Sequence, residues 1–319
     1  MIEFSTVLPL VIVAAIVAGA FFFLKKKKND DSSAGDISDF TPDPSPVDGN
    51  PVVGEVNMSK FALIVGINKY STPGMDLAGC VNDANNVRDF LIDCAGFSPS
   101  NINMLTDANA TQKNILAGLR WLISKGAEGT ELFYYHSGHG TQVFDASGDE
   151  SDQLDEVLVP HDHDWNNPLL DDYLAQIFAS LPSGAFLSMI CDTCHSGSMT
   201  KDVVRNITMP KEMAKKMEGK ACTINKFGMR NDGAGRHILL SGCRDDQTSS
   251  EAVISGVRQG ALTCNFLKVA KGPAKSWRET HADVITALKN AGWSQVPVLS
   301  GAENLKDRVV LGQPAGKTC

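Results

Sequence analysis

The segment that most constrains this chain is Phe186-Leu187-Ser188-Met189-Ile190, a largely apolar run. It stops abruptly at Cys191-Asp192-Thr193-Cys194-His195-Ser196-Gly197. A buried parallel strand reads this way, with reactive residues delivered at its carboxyl end. In an open α/β sheet that end is where ligands sit. The remaining sequence must then supply more parallel strands, and helices to cover both faces.

It does so in alternation. Residues 60–67, KFALIVGI, read as a second buried strand. Residues 68–79 are a polar loop with Pro73-Gly74 as a turn. Val81, Ala84, Val87, Leu91 and Cys94 keep helical spacing. Residues 102–105 form a short strand, and residues 111–124 a helix with Thr111 as its cap. Glu131-Leu132-Phe133-Tyr134-Tyr135-His136 is the next strand and runs into Ser137-Gly138-His139-Gly140. A long polar loop extends to Asn167, a helix covers 169–181, and the strand at 185–191 follows. After the basic stretch 200–236, an exposed insertion by its composition, residues 236–242 resume the sheet. Helices are expected at 260–269 and 281–291, and extended segments at 296–299 and 308–311. No internal repeat is present. The expected class is α/β: a three-layer α/β/α sandwich with a mainly parallel sheet.

The amino-terminal segment is different in kind. From Phe4 to Leu24 there are 21 residues without a charge, followed at once by Lys25-Lys26-Lys27-Lys28. That length spans a bilayer as a helix. A secretory signal peptide carries its positive charge in front and not behind. The positive-inside rule places the amino terminus outside and the rest in the cytoplasm, giving a single-pass anchor over 1–28. The tetralysine also suits anionic headgroups. Residues 29–57, rich in Asp, Ser, Pro and Gly, read as a flexible linker. The folded domain is expected at 58–319. A net charge of −8 argues against nucleic acid as a partner. Eight cysteines without a regular framework read as reduced thiols in a reducing compartment.

A thiolate needs a neighbouring base or positive charge to form. His139 and Cys194 both follow predicted strands, sit beside glycines, and fall at one sheet edge. Caspases carry a His roughly 50 residues before the nucleophilic Cys, and here the gap is 55. Tyr135-His136-Ser137-Gly138-His139-Gly140 and Asp192-Thr193-Cys194-His195-Ser196-Gly197 resemble the two catalytic motifs of metacaspases, caspase-like peptidases. Leu77-Ala78-Gly79-Cys80-Val81-Asn82-Asp83-Ala84 resembles a third motif. Residues 241–249 and 260–263 resemble the family's small-subunit region. The order of regions is similar to the type I arrangement, with an anchor in place of a prodomain.

The resemblance implies Cys194 as nucleophile and His139 as general base and acid. It implies cleavage of protein or peptide substrates after Arg or Lys, with Cys80, Asp83, Ser137 and Asp192 lining the pocket. Two acids suit a guanidinium or ammonium. By the same resemblance, the backbone N–H groups of Gly138 and Cys194 meet the oxyanion. Ca2+ is implied as an activator, held by Asp155, Asp171, Asp172 and Asp202, which are hard oxygen ligands. The basic stretch offers sites for self-cleavage, and the family resemblance implies a monomer.

Other readings of the same residues compete. Cys191-Asp192-Thr193-Cys194-His195 also spells a haem-attachment sequence, which needs an oxidising location and a helical context. Cys191 reads as a core thiol and His136 as a structural strand-end residue. His161 and His163, with Asp162 and Asp164, offer transition-metal ligands or a solvated loop. A catalytically silent membrane-tethered module on the same fold is the alternative function. A legumain-like peptidase cutting after Asn would not call for two pocket acids.

Overall fold

The computed structural model describes residues 59–144, 154–193, 203–204, 236–243, 249–313 and 319. The segment from Phe4 to Leu24, the linker 29–57, Cys194, His195, Asp202 and most of the basic stretch lie outside the described residues. Among the described residues no helix is long and apolar enough to cross a membrane.

The central sheet has six strands. β1 (Lys60–Gly66), β2 (Ile102–Thr106), β3 (Glu131–Ser137), β7 (Phe186–Asp192), β9 (His237–Ser241) and β12 (Val298–Gly301) pair in the order β12-β9-β7-β3-β1-β2. All neighbours run parallel except β12, which pairs antiparallel with β9. This is the expected mainly parallel sheet. Side chains alternate between its faces. Ala62, Ile64, Phe133, Tyr135 and Ile190 point to one core. That core is closed by α1 (Cys80–Asp93), α4 (Ala261–Ala270) and α5 (Trp277–Asn290), through Val87, Phe90, Phe266 and Trp277. Leu63, Val65, Leu132, Tyr134 and Met189 point to the other. There α2 (Gln112–Ser124) and α3 (Asp171–Ala179) supply Ile115, Leu119, Leu174 and Phe178. The same parity puts Ser137 and Asp192 on the α1–α4 face. His136 falls on the α2–α3 face, where Tyr134 Oη lies 3.0 Å from its Nδ1.

Local chemistry explains the element ends. Thr111 caps α2 as expected, accepting from the Asn114 N–H at 3.3 Å. α1 has a glycine at its cap position, so Asn68, just past β1, serves instead: its Oδ1 accepts from the Cys80 N–H at 2.8 Å. Gly66 ends β1 because nothing larger fits. A Cβ there would lie 2.6 Å from both Ala84 Cβ and the Cys80 carbonyl oxygen. That close approach brings the first turn of α1 over the sheet's carboxyl rim.

Several expectations are corrected. The polar loop before Asn167 contains β4 (Gly140–Phe144) and β5 (Leu154–Leu158), an antiparallel pair. The helix placed at 169–181 begins with two residues of strand, β6 (Leu169–Leu170), paired with β5 before α3 starts. Within the basic stretch, β8 (Val203–Val204) pairs with β10 (Ser250–Ile254). β10 forms a hairpin with β11 (Val257–Gly260) through Ser255 (φ 53°) and Gly256 (φ 83°), a turn for which Ser-Gly was a readable signal. α5 starts earlier than expected, on a Ser276–Glu279 capping box that was also readable. Residues 308–311 are not a strand: Val309 makes a single bridge to Ser276, and a short 3-10 turn follows.

The all-reduced reading of the cysteines is also corrected. Cys94 and Cys319 form a disulfide with Cα atoms 5.4 Å apart. A separation of 225 residues carries no spacing signal, and only the fold brings the pair together. Cys80, Cys191, Cys243 and Cys264 are not in disulfides.

Candidate active site

β3 and β7 end side by side, with Ser137 the register partner of Asp192. His139 stands two residues beyond Ser137. Cys194 stands two residues beyond Asp192 and lies outside the described residues, as does its N–H.

The loop after β1 surrounds His139, which is 5 % exposed. Its Nε2 lies 2.7 Å from the Met75 carbonyl oxygen. A carbonyl only accepts, so Nε2 carries the proton, and in the neutral ring the lone pair is on Nδ1. The His139 backbone N–H donates to Tyr70 Oη at 2.8 Å, and the two rings lie 4.9 Å apart. Tyr70 is itself fixed: its N–H donates to Asp76 Oδ1 at 3.2 Å. The His139 carbonyl accepts from the Val159 N–H at 3.1 Å. The imidazole is thus held by a backbone carbonyl and a phenol that sequence reasoning missed. Nothing in a loop sequence marks a carbonyl as an orienting group.

The four pocket candidates converge on the α1–α4 face. Asp83, Ser137, Asp192 and Cys80 are all fully buried. Ser137 Oγ donates to Asp83 Oδ2 at 3.1 Å, and the Gly260 N–H lies 3.0 Å from both Asp83 oxygens. Asp192 accepts from Ser249 Oγ at 2.6 Å, and from the Thr263 Oγ1 and N–H at 2.6 and 3.1 Å. Tyr135 Oη lies 2.6 Å from Thr263 Oγ1, which makes it the donor to that hydroxyl. Gly260 is the cap position of α4 and Thr263 its third residue. Both acids therefore also meet the amino-terminal N–H groups of a helix, where negative charge is favoured. Ser249 and Thr263 fall in segments already singled out, but their partners are not readable from sequence.

Gly138, the other oxyanion candidate, is buried between Ser137 and His139. Of the calcium candidates, Asp155 lies on β5, and Asp171 and Asp172 open α3. β5 pairs with β6 at Val157↔Leu170 and Leu158↔Leu169. That ladder ends at Leu170, where α3 begins, and Asp155 lies two residues before Val157 on β5. The pair Cys191 and His136 is embedded. Burial pushes the Cys191 thiol up to about 12, helped by the nearby Asp192 charge, so it stays protonated. His161 Nδ1 donates to the Lys69 carbonyl at 2.7 Å. His163 packs edge-on against Trp165, and burial lowers it to about 4.

The whole arrangement is that of a caspase-like α/β protein. Solved structures share this fold: a Geobacter sulfurreducens protein (TM-score 0.61, 22 % identity, 80 % of this chain and 99 % of that one). Caspase-1 from Spodoptera frugiperda is another (TM-score 0.53, 12 % identity, 82 % and 92 %). A profile of the metacaspase, peptidase C14 domain matches residues 60–203. Metacaspase-1 of Candida glabrata is 30 % identical over 286 residues, covering 76 % of this chain and 72 % of the relative. Metacaspase-1 of Candida albicans is 32 % identical over 293 residues, covering 76 % and 65 %. The chain belongs to the metacaspase family, and it is a cysteine-type peptidase.

Proposed function

We propose that this peptidase cleaves after Arg or Lys with a Cys194–His139 dyad, is activated by calcium, and works tethered to a membrane through residues 4–24. The observation that carries the dyad is the oriented imidazole of His139, at the rim where β3 and β7 end in register. His139 Nδ1 takes the Cys194 thiol proton, and the thiolate attacks the scissile carbonyl carbon. The oxyanion is met by the N–H groups of Gly138 and Cys194. The imidazolium then returns the proton to the leaving amine. Water, deprotonated by His139, hydrolyses the thioester and frees the thiol.

The basic preference is supported by Asp83 and Asp192, two acids on one face that hydroxyl and amide donors hold in fixed orientation. Calcium is supported by three carboxylates on two joined elements: Asp155 on β5, and Asp171 and Asp172 at the start of α3, which follows directly on the β6 strand paired with β5. Carboxylates are the donors that this cation takes. Asp155, Asp171, Asp172 and Asp202 would hold it and its charge would order the neighbouring backbone. Self-cleavage falls in 200–236, where basic residues are dense.

The test compares the full chain with Cys194→Ala on peptides carrying Arg, Lys or Asp before the scissile bond, with calcium and with a chelator. Wild type should cut the Arg and Lys peptides only, faster with calcium, and fragment within 200–236. Cys194→Ala should lose at least about a thousandfold in rate and stay intact. Cleavage after Asp would remove the specificity reading. A rate indifferent to chelation would remove the calcium reading and leave the peptidase.

A further inference from the structure

Helix α2 turns a basic and partly apolar side to the solvent. Its inner side is fixed: Ile115, Gly118, Leu119, Leu122 and Ile123 are buried. Gly118 marks the closest approach to the sheet, where a Cβ would lie 2.8 Å from Leu63 Cδ1. The outer stripe is then Lys113, Leu116, Ala117, Arg120, Trp121 and, at the cap, Lys125, all at helical spacing. The outward side of a surface helix is ordinarily charged and polar. This one has three exposed cations and no acid. It also has three apolar side chains, of which Ala117 is exposed and Leu116 and Trp121 are half-buried.

The cations are not taken up by acids. Lys69, Arg88 and Arg278 each lie within 3.0 Å of a carboxylate oxygen. Lys113 and Arg120 have no ion pair among the described residues. Lys125 Nζ lies 5.9 Å from the centroids of the Phe61 and Trp121 rings. Asp162 accepts from the Gln112 N–H at 2.8 Å where the helix opens, and Glu128 follows its end; neither falls on the stripe. The chain also enters the domain beside this face. Phe61, the second residue of β1, packs edge-on against Trp121 with ring centroids 6.4 Å apart.

We infer that the outer face of α2 is a second membrane contact, which lies on anionic headgroups through Lys113, Arg120 and Lys125 with Trp121 at the interface. This rests on the reading of residues 4–24 as an anchor. Each Lys or Arg near an anionic leaflet strengthens binding by about fivefold, and Trp favours the headgroup level. Three cations make a weak contact for a free protein. A chain already held at the bilayer docks intramolecularly, and the effective concentration makes a weak contact sufficient. A bilayer is favoured over an acidic protein because the chain enters the domain at Phe61, beside the face. Docking on α2 turns the opposite side of the sheet, where α1 carries Asp83, away from the bilayer.

The test reconstitutes the full chain in phosphatidylcholine vesicles with and without phosphatidylserine, each containing brominated phosphatidylcholine as a quencher. The variants are Trp121→Phe and the triple Lys113→Gln/Arg120→Gln/Lys125→Gln, the latter with its own Trp121→Phe counterpart. Subtracting the Trp121→Phe emission isolates Trp121 from the other tryptophans, and the tetralysine is common to every sample. With phosphatidylserine Trp121 should be quenched; without it, or at high salt, it should not. The triple variant should lower the docked-to-undocked ratio by about a hundredfold. It should keep the wild-type melting temperature and the wild-type rate on soluble Arg peptides. Unquenched Trp121 in the phosphatidylserine vesicles overturns the inference, and so does equal quenching in the triple variant. Should the triple variant not fold, the wild-type comparison with and without phosphatidylserine decides alone. A Trp121 emission that shifts with polyglutamate and ignores phosphatidylserine gives the face to an acidic protein and overturns the membrane contact. Extraction of the chain from phosphatidylcholine vesicles by alkaline carbonate would remove the anchor reading, and this inference with it. A chain that is retained but undocked overturns the inference and leaves the anchor.

Discussion

Strand β3 has a buried acid near each end, and the two ends treat the charge differently. At the amino end, Glu131 accepts from Ser188 Oγ at 2.9 Å and faces the Arg308 guanidinium at 3.4 Å. Burial raises its pKa, while Ser188, Arg308 and Lys60 pull it back. At the carboxyl end, Ser137 adjoins Asp83 and Asp192, and the described donors to both are hydroxyls and amides. A guanidinium compensates a carboxylate. Hydroxyl and amide dipoles fix the orientation of a carboxylate. The first arrangement serves the fold, and the second suits a site.

Three substitutions break or sharpen that contrast. The largest effect is expected from Asp192→Asn. The amide oxygen can take the Thr263 N–H while its NH2 turns to Ser249 Oγ, so the thermal midpoint should move little. Loss of the charge should cut kcat/KM on Arg peptides roughly a hundredfold. A large fall in melting temperature instead would make Asp192 mainly a support for α4. Next is Tyr70→Phe. It keeps the ring beside His139 and removes the oxygen that accepts the His139 N–H. We expect kcat to fall about tenfold with KM nearly constant, and the acid limb of the pH profile to shift. An unchanged kcat would relieve Tyr70 of any positioning role.

The smallest effect belongs to Glu131→Gln. The folded-state pKa of Glu131 is raised above its ordinary 4.5. The folded protein therefore binds more protons there than the unfolded chain does. That contribution to stability is full below the unfolded value and is lost as pH rises through the folded one. Glu131→Gln should remove this slope from urea midpoints measured between pH 4 and 8. At neutral pH it should change stability by only about 1 kcal/mol and leave activity as it was. A loss of activity would erase the distinction between the two ends.

Much of this was legible in order along the chain. The runs at 60–67, 131–136 and 185–191 are strands because each is long enough in apolar residues to be buried on both faces. Their polar endings marked the rim. The Thr111 cap and the helical spacing of Val81 to Leu91 followed from local geometry. What was missed is non-local. Short β4, β5 and β6 lack an apolar run, and their pairing comes from each other. The β10–β11 hairpin offered Ser-Gly, a weak signal that becomes decisive only when α1 packs behind it.

The sequence by itself determined which residues end the strands, how they alternate between faces, and the family through its motifs. Each of these depends on neighbours within a few positions. Only the tertiary structure decided that Met75 and Tyr70 hold His139, that Ser249 and Thr263 hold Asp192, and that Glu251 reaches Ala78 and Cys80. Those contacts join segments from 57 to 173 residues apart, for Ser249–Asp192 and Ala78–Glu251. Their existence depends on how layers stack, which no local pattern encodes.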